Sequence, residues 1–395
     1  MARASVDEHA ALIAQLLRLD PGTESLPLDT ALGRVTARAV ESPVDLPLFR
    51  NSQMDGFAVR AADVARPPAT LPIVGEVAAR PSDPPHLAGG TAVRIMTGAV
   101  VPEGADAVVP VEDTRVDGDT VTVLRARATG EYVREPGSDI RSGDELLPAG
   151  LLLGSRHLAA LAAAGLTHVD VRARVRVAII TTGSELIEPG GSPTLGQIFD
   201  SNGTALDAAV RAAGAIVSFR EHVTDDTAAM LAALASAASA ADVIVTSGGI
   251  SMGDHEVVRE SLEPLGARVT TIAMQPGGPQ ATAVFAGVPV VCFPGNPVST
   301  QVSFEVFLAP ALRESAGLPP ARRERRALSH AVTSVEGKRQ FLRGRSVPGN
   351  EHLVEVVSGA SSHLVAGLAA SDVLIDIPEA LGFLEAGDAV ETWVL

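Results

Sequence analysis

The sequence predicts an α/β multidomain protein whose central domain is a mostly parallel sheet with helices on both faces, in three layers. Apolar, strand-like runs such as 175–180 and 242–246 alternate with helix-like segments between residues 174 and 315, and they pass into glycine-containing loops. Strand–loop–helix repeats of this kind specify a parallel sheet covered on both faces. The chain has 395 residues, which exceeds what one hydrophobic core supports, so further domains are expected.

The regions on either side of the central domain predict smaller units. Residues 5–18 predict an amphipathic helix, which Ser5 and Glu8 begin with a capping box. We interpret the charged run 321–326 as a linker. The expected division is a discontinuous N-terminal α/β part at 1–50 plus 141–173, a small β-rich domain at 51–140, the α/β domain at 174–327, and a C-terminal β domain at 328–395.

The composition excludes several kinds of partner. The chain has 31 basic and 47 acidic residues and a net charge of −16, which is the wrong sign for general nucleic-acid or anionic-membrane binding. Lys338 is the only lysine, so almost every fixed positive charge is an arginine. The single cysteine, Cys292, excludes an internal disulfide and is expected to be buried. Without an apolar signal core or a membrane-length apolar segment, we expect a cytoplasmic protein with no membrane partner.

Three predicted strand ends each carry a carboxylate: Glu185 in the TTGSEL run at 181–186, Asp225 beside Asp226, and Asp254 in the SGGISMGD run at 247–254. Each alone has an ordinary structural reading, as an N-cap or as a charge at a helix N-terminus. The carboxyl ends of parallel strands meet at one edge of the sheet, and Mg²⁺ prefers oxygen ligands. The three together therefore predict a magnesium site.

Two loops at the same edge are suited to an anionic ligand. The adjacent Gly248 and Gly249 allow a tight turn that presents N–H groups to a phosphate beside a helix N-terminus. The run PGNPVS at 294–299 is rigid and is expected to position Asn296 and Ser299 against a planar ring or an oxyanion, with a purely structural turn as the alternative. Histidines 222, 255 and 363 lack the spacing of a zinc site.

Six runs occur in an order that resembles the molybdopterin molybdenumtransferase family, known as MoeA in bacteria and related to the gephyrin E domain. They are NSQMDGFA at 51–58, RIMTGA at 94–99, TGSEL at 182–186, DSN at 200–202, SGGISMGD at 247–254 and PGNPVS at 294–299. The resemblance covers essentially the whole chain. It implies an elongated homodimer that uses Mg²⁺ to insert molybdate into adenylylated molybdopterin with release of AMP. It also implies contact with a molybdopterin adenylyltransferase and with molybdoenzyme maturation partners.

The resemblance further implies roles for individual residues. Glu185, Asp225 and Asp254 would hold Mg²⁺ and are catalytic, together with Asp55 and Thr97, which would reach the cleft from the partner subunit. The implied substrate-binding residues are Thr182, Gly183, Ser247, Gly248, Gly249, Ser251, Pro294, Gly295, Asn296, Pro297, Ser299, Arg343 and Ser362. Of these, Ser299, Arg343 and Ser362 would help to place molybdate.

One departure from the family pattern concerns charge. Gln275 and Gly278 stand where the family usually has lysines, the second of them in a Pro-Gly-Lys-Pro segment, and the ASSH run at 360–363 also deviates. Fewer cations weaken the stabilisation of oxyanions, so we expect reduced molybdate affinity, with Arg343 as a candidate to compensate. Two alternatives remain open here: a molybdopterin adenylyltransferase, whose relatives lack the flanking β domains, and a non-catalytic pterin-binding carrier or scaffold, which the missing lysines favour.

Overall fold

The computed structural model describes residues 3–250 and 256–395 and separates them into two compact units. One unit contains residues 3–24 and 172–395, and the other contains residues 25–171. The helices of the first unit are Val6–Leu16, Ser201–Ala212, Thr227–Ala240, Val257–Leu262, Pro297–Ser303, Ala309–Ala316 and Val365–Ala369. A π-helical segment, Phe304–Leu308, joins two of them into one continuous helical run from 297 to 316.

The central sheet confirms the predicted mostly parallel, three-layer architecture. Its strand order is Ile216–Val223, Arg176–Thr182, Val243–Ser247, Val288–Phe293, Pro279–Phe285 and Arg268–Thr271. The first four strands are parallel, and the last two add an antiparallel edge. Val177 and Ile179 join one buried cluster, with helix Ser201–Ala212, while Ala178 and Ile180 join another, with helix Thr227–Ala240. This alternation places helices on both faces of the sheet. Cys292 is buried, as predicted, and burial raises the pKa of its thiol to about 12.

The N-terminal helix Val6–Leu16 begins with the predicted capping box. The Glu8 amide donates to Ser5 Oγ at 3.1 Å, and the Ser5 amide donates to Glu8 Oε2 at 2.8 Å. Ile13 packs in the same buried cluster as the core of the α/β region, and His9 meets the Phe307 ring edge-on at 4.7 Å. Residues 3–24 therefore belong to this unit, whereas the sequence-based division placed 1–50 in a separate domain.

The interpretation of residues 321–326 as a linker is wrong. Strand Arg323–Leu328 pairs antiparallel with Ala389–Val394 in the C-terminal sheet, so the expected division between 327 and 328 falls inside a strand. The Arg323 guanidinium lies over the Trp393 ring at 4.0 Å and pairs with Glu391 at 3.1 Å. Charged side chains can occupy this strand because aromatic and acidic partners face them. The other strands of the sheet are Met274–Gln275, Arg339–Val347, Asn350–Val356 and Val373–Ile377.

The unit formed by residues 25–171, which includes the β-rich domain predicted at 51–140, is rich in short strands. Its main sheet has the order Ala107–Pro110, Gly56–Val59, Ala92–Ile95, Ala69–Val77, Thr120–Val123 and Thr114–Asp117. A hairpin turn joins its last two strands, and Gly118 in this turn has a φ of +55°. The unit also contains helix Ser155–Ala163. Within the described parts of the chain, we find no helix with the length and apolar character needed to cross a membrane.

Candidate functional site

A cavity of about 750 Å³ lies at the carboxyl ends of strands Arg176–Thr182, Val243–Ser247 and Val288–Phe293. This is the position at which ligands bind in open α/β sheets. Among the sequence-predicted site residues, the lining contains Thr182, Gly183, Glu185, Asp225, Gly248, Gly249, Pro294, Gly295, Asn296, Pro297, Ser299 and Ser362. The prediction that strand-end loops assemble one site agrees with this geometry, and we call this space the strand-end cavity.

Two of the predicted metal-binding carboxylates, Glu185 and Asp225, face the strand-end cavity on loops that are tied to each other. The Ser184 amide donates to Asp225 Oδ2 at 2.9 Å, and the Asp225 amide donates to Ser184 Oγ at 3.3 Å. Gly183 allows Glu185 to fold back, since a Cβ there would lie 2.6 Å from the Glu185 carboxylate. Mg²⁺ is commonly held by one or two carboxylates together with substrate phosphates, so this pair fits the ion.

The third predicted metal ligand, Asp254, and the predicted substrate-binding residue Ser251 lie outside the described residues. Within residues 3–250 and 256–395, no group of three or more His, Cys, Asp or Glu side chains is arranged to hold a metal ion. Glu256, which the sequence did not single out, also lines the strand-end cavity. Its place just before helix Val257–Leu262 is the signal that we missed, because acidic residues are favoured there.

Asp200 and Asn202 line the strand-end cavity and form its polar frame. Asp200 is 2% exposed; it accepts from Thr181 Oγ1 at 2.9 Å and caps helix Ser201–Ala212 through the Gly203 amide at 2.9 Å. Asn202 Nδ2 donates to Ser247 Oγ at 2.8 Å and to the Gly295 carbonyl at 2.7 Å. Asn202 thereby joins two strand-end loops. Both residues stand in the quoted DSN run, yet we did not predict them as site residues.

The glycine pair after strand Val243–Ser247 allows the backbone to turn tightly next to the neighbouring strand end. Gly248 has a φ of +98°, and a Cβ there would lie 2.7 Å from the Thr182 carbonyl oxygen. Its amide donates to the Phe293 carbonyl at 3.1 Å, so this N–H group is already engaged. Ser247 is 1% exposed, is bonded to Asn202 and Thr300, and is not among the residues that line the cavity. Its position indicates a structural role beneath the loop rather than direct contact with a phosphate.

The turn at 294–297 begins helix Pro297–Ser303 at the strand-end cavity. Thr300 Oγ1 donates to the Pro294 carbonyl at 2.6 Å, which fixes the turn. Asn296 occupies the N-cap position but makes no capping bond with its side chain, so its amide is not engaged in the cap. Ser299 is 3% exposed and lines the cavity. Two helix N-termini, at Ser201 and at Pro297, therefore meet at this space.

Arg343 and Ser362 come from the C-terminal sheet and from the loop that leads to helix Val365–Ala369. The Ser362 carbonyl accepts from the Val298 amide at 3.1 Å, which places that loop against the helix start. Arg343 is 1% exposed and does not line the cavity; its Nη2 donates to the carbonyls of Gly359 and, at 3.2 Å, Ser361. Burial lowers the pKa of its guanidinium. Arg343 thus supports the loop that carries Ser362 instead of facing the cavity directly.

The two positions that lack the family's lysines differ in the structure. Gln275 lines the strand-end cavity, and its Oε1 accepts from Gln340 Nε2 at 2.7 Å, which leaves its NH₂ group as the amide's remaining polar end. Gly278 is not among the lining residues. A Cβ at Gly278 would lie 3.4 Å from the Ile272 carbonyl oxygen, so a side chain fits there with small adjustments.

In the unit of residues 25–171, the structure brings Asp55 and Thr97 together. Asp55 Oδ1 accepts from the Thr97 amide at 2.6 Å and from Thr97 Oγ1 at 2.8 Å. The backbone bond is the larger cause of the lowered pKa of this carboxyl, and the hydroxyl bond adds to it. Gly56 is required beside them because a Cβ would meet the Val109 carbonyl oxygen. Asp55 is thus held as an exposed carboxylate.

Comparisons with known proteins cover nearly the whole chain. Residues 4–165 match the model of the MoeA N-terminal region (domains I and II), residues 178–314 match one described as a "probable molybdopterin binding domain", and residues 325–395 match the MoeA C-terminal region (domain IV). The chain is 41% identical to molybdopterin molybdenumtransferase 2 of Mycobacterium tuberculosis, over 99% of both chains. It is 35% identical to the molybdopterin molybdenumtransferase of Nostoc sp., over 98% of this chain and 92% of the relative.

A solved structure supports the same assignment. The molybdopterin biosynthesis MoeA protein of Pyrococcus horikoshii is 32% identical to this chain and has a TM-score of 0.85 to it. The match covers 100% of this chain and 99% of that one. The likeness therefore includes both compact units.

Proposed function

We propose a reaction for this chain, which belongs to the molybdopterin molybdenumtransferase family and is an enzyme of molybdenum cofactor biosynthesis. The proposed reaction depends on Mg²⁺, inserts molybdate into adenylylated molybdopterin and releases AMP. The observation that carries the proposal is the strand-end cavity, where two helix N-termini meet the carboxylates of Glu185 and Asp225. Helix N-termini attract phosphates and other oxyanions, whereas carboxylates repel them unless a cation lies between.

Glu185 and Asp225 would hold the metal ion, with Asp254 as the further ligand that the sequence predicts. Bound Mg²⁺ would neutralise charge on the phosphoryl oxygens as the phosphoanhydride breaks. The reciprocal bonds between Ser184 and Asp225 keep the two loops at a fixed spacing. The glycine turn at 248–249 would bring the backbone close to the ligand, and the side-chain amide of Asn296, which makes no capping bond, would face a ring or an oxyanion.

Molybdate would be placed by neutral donors where the family usually has lysines. Ser299 and Ser362 line the strand-end cavity together with Gln275, whose NH₂ group is the part of its amide not engaged by Gln340. Neutral donors bind an oxyanion less strongly than charge-assisted ones. The proposed consequence is an enzyme that turns over but needs more molybdate for saturation than a variant with lysine at Gln275 or Gly278.

Asp55 and Thr97 would act in the reaction from a partner subunit, since the proposed assembly is a homodimer. Their mutual bonds hold the Asp55 carboxylate in one orientation, ready to position a substrate group. A molybdopterin adenylyltransferase would supply the adenylylated substrate and molybdoenzyme maturation would consume the product, in the cytoplasm.

The proposal is tested by incubating the purified protein with adenylylated molybdopterin, Mg²⁺ and molybdate and measuring AMP by chromatography. We expect AMP release that depends on molybdate. Tight substrate binding without AMP release would contradict the proposed reaction, and AMP release that is the same with and without molybdate would contradict the role of molybdate.

A further inference from the structure

A second cavity, of about 600 Å³, lies in the unit of residues 3–24 and 172–395, and the proposed reaction does not use it. Its volume falls within the range of roughly 300–1,000 Å³ that is typical of small-molecule sites. We call it the helix-flank cavity because residues from inside helix Ser201–Ala212 and from inside the helical run 297–316 line it, whereas the N-termini of these two elements face the strand-end cavity. The two linings share no residue.

The lining of the helix-flank cavity is mainly apolar. Leu206, Val302, Phe304, Leu368 and Leu374 contribute to it from the helices and from the C-terminal sheet. An apolar lining with a few placed polar groups is the usual character of a site for an organic ligand. The body of a suitable ligand is therefore apolar.

The charged groups that line the helix-flank cavity are two arginines, Arg313 and Arg322, and one glutamate, Glu305. Arg313 Nε donates to the Pro319 carbonyl at 2.8 Å, and Arg322 pairs with Glu324 at 2.5 Å. The partly buried Glu305 has neither a hydrogen bond nor an ion pair with any residue in the described ranges. Burial is the larger cause of the raised pKa of its carboxyl, and the charge of Arg313 opposes it.

An incompletely compensated carboxylate in an apolar site favours a ligand that brings a cationic donor. We propose that the helix-flank cavity binds a small organic amine, whose apolar body fills the space and whose ammonium group donates to Glu305. The inference is independent of the proposed reaction, because the helix-flank cavity and the strand-end cavity share no lining residue.

Three segments line both cavities at different points along their length. Helix Ser201–Ala212 contributes Ser201 to the strand-end cavity and Ala209 to the helix-flank cavity. The helical run that starts at 297 contributes Ser299 to the first and Glu305 to the second, and the segment after Arg343 contributes Ser362 and Val365 in the same way. An amine in the helix-flank cavity thus contacts the segments that position the substrate site.

The proposal is tested with three probes of similar size, hexylamine, 1-hexanol and hexanoate, titrated calorimetrically into the full chain at pH 8. We expect hexylamine to bind about tenfold more tightly than hexanol, as one charge-assisted hydrogen bond allows, and hexanoate to bind most weakly. Glu305→Gln should remove the preference for the amine. The matched control is Glu314→Gln, an exposed position on helix Ala309–Ala316 outside the lining, and it should keep that preference.

A second variant locates the binding. Ala209→Phe fills the helix-flank cavity and should abolish binding of both hexylamine and hexanol, while circular dichroism checks that the variant is folded. Four results would each overturn the proposal. They are equal affinity for amine and alcohol, a preference for hexanoate, absence of binding, and a preference for the amine that survives in Glu305→Gln.

Discussion

The two cavities share three segments of chain but differ in what those segments present. The strand-end cavity is lined by the ends of strands and helices, which bring polar side chains such as those of Asn296 and Ser299 to it. Residues from inside helices line much of the helix-flank cavity. Their backbone groups are already bonded within the helix, and side chains such as Val302 and Phe304 are apolar. The ends of these elements are therefore suited to binding an anionic ligand, and their flanks are suited to binding the apolar part of an organic ligand.

Removal of divalent metal is expected to give the largest difference between the cavities. A chelator should lower the rate of AMP release by about a hundredfold or more, because Glu185 and Asp225 would be left without the cation that neutralises the substrate's phosphates. Binding of hexylamine in the helix-flank cavity should not change. Added Mg²⁺ should restore AMP release, and chelator-resistant release would contradict the metal assignment.

Asn202→Ala is expected to destabilise the protein, because Asn202 joins two of the loops that form the strand-end cavity. The change removes the bonds to Ser247 and Gly295 and leaves the Gly295 carbonyl without this donor, so the free energy of unfolding should fall by about 2 kcal/mol. Chemical denaturation measures the loss. Thr204→Ala is the control, because this exposed residue lies on the same helix and, among the described residues, its hydroxyl contacts only Arg220, at 3.5 Å. Equal stability of the two variants would contradict the framing role of Asn202.

Gln275→Lys tests whether the missing cation sets molybdate affinity. The lysine would place a charge where Gln275 now lines the strand-end cavity, so the molybdate concentration at half-saturation should fall by about tenfold. Gly278→Lys should lower it less, because Gly278 is not among the lining residues. The measurement is AMP release as a function of molybdate. Identical saturation curves for the original protein and both variants would contradict the expected weakness.

The smallest expected effect is on stability and belongs to the helix-flank cavity. Because burial raises the pKa of Glu305, the folded state binds its proton more tightly than the unfolded state does, so the ionised form is destabilising. The destabilisation is present above the folded-state pKa and absent below the ordinary glutamate pKa of 4.5. Glu305→Gln should therefore raise the melting temperature at pH 8 and raise it less at pH 5. A pH-independent difference would contradict this.

The sequence predicted the strand-end cavity better than its frame. Thr182, Gly248 and Pro294 could be placed because each follows an apolar strand, and parallel strands end at one edge. Asp200 and Asn202 were missed as site residues because an N-cap and its neighbour look like local helix signals until tertiary contacts are known. Gln275 reaches the cavity through a parallel pairing with strand Arg339–Val347, which no local pattern encodes.

Two further differences have the same physical cause. Residues 321–326 were interpreted as a linker, because the partners of Arg323 are Glu391, 68 positions later, and Trp393 beside it on the paired strand. The helix-flank cavity was not predicted either, since Leu206 and Val302 at helical spacing look like ordinary core residues. Both features depend on contacts between residues that are far apart in the sequence, which local patterns do not show.

The most direct test of the strand-end cavity as the catalytic site is the rate of AMP release in Glu185→Gln beside Glu188→Gln. Both changes remove one negative charge from an exposed position beside the short strand Leu186–Ile187, but of the two residues only Glu185 lines the cavity. The rate should fall about a hundredfold for Glu185→Gln and stay within about twofold of the original for Glu188→Gln. Equal rates in the two variants would contradict the assignment of the chemistry to this cavity.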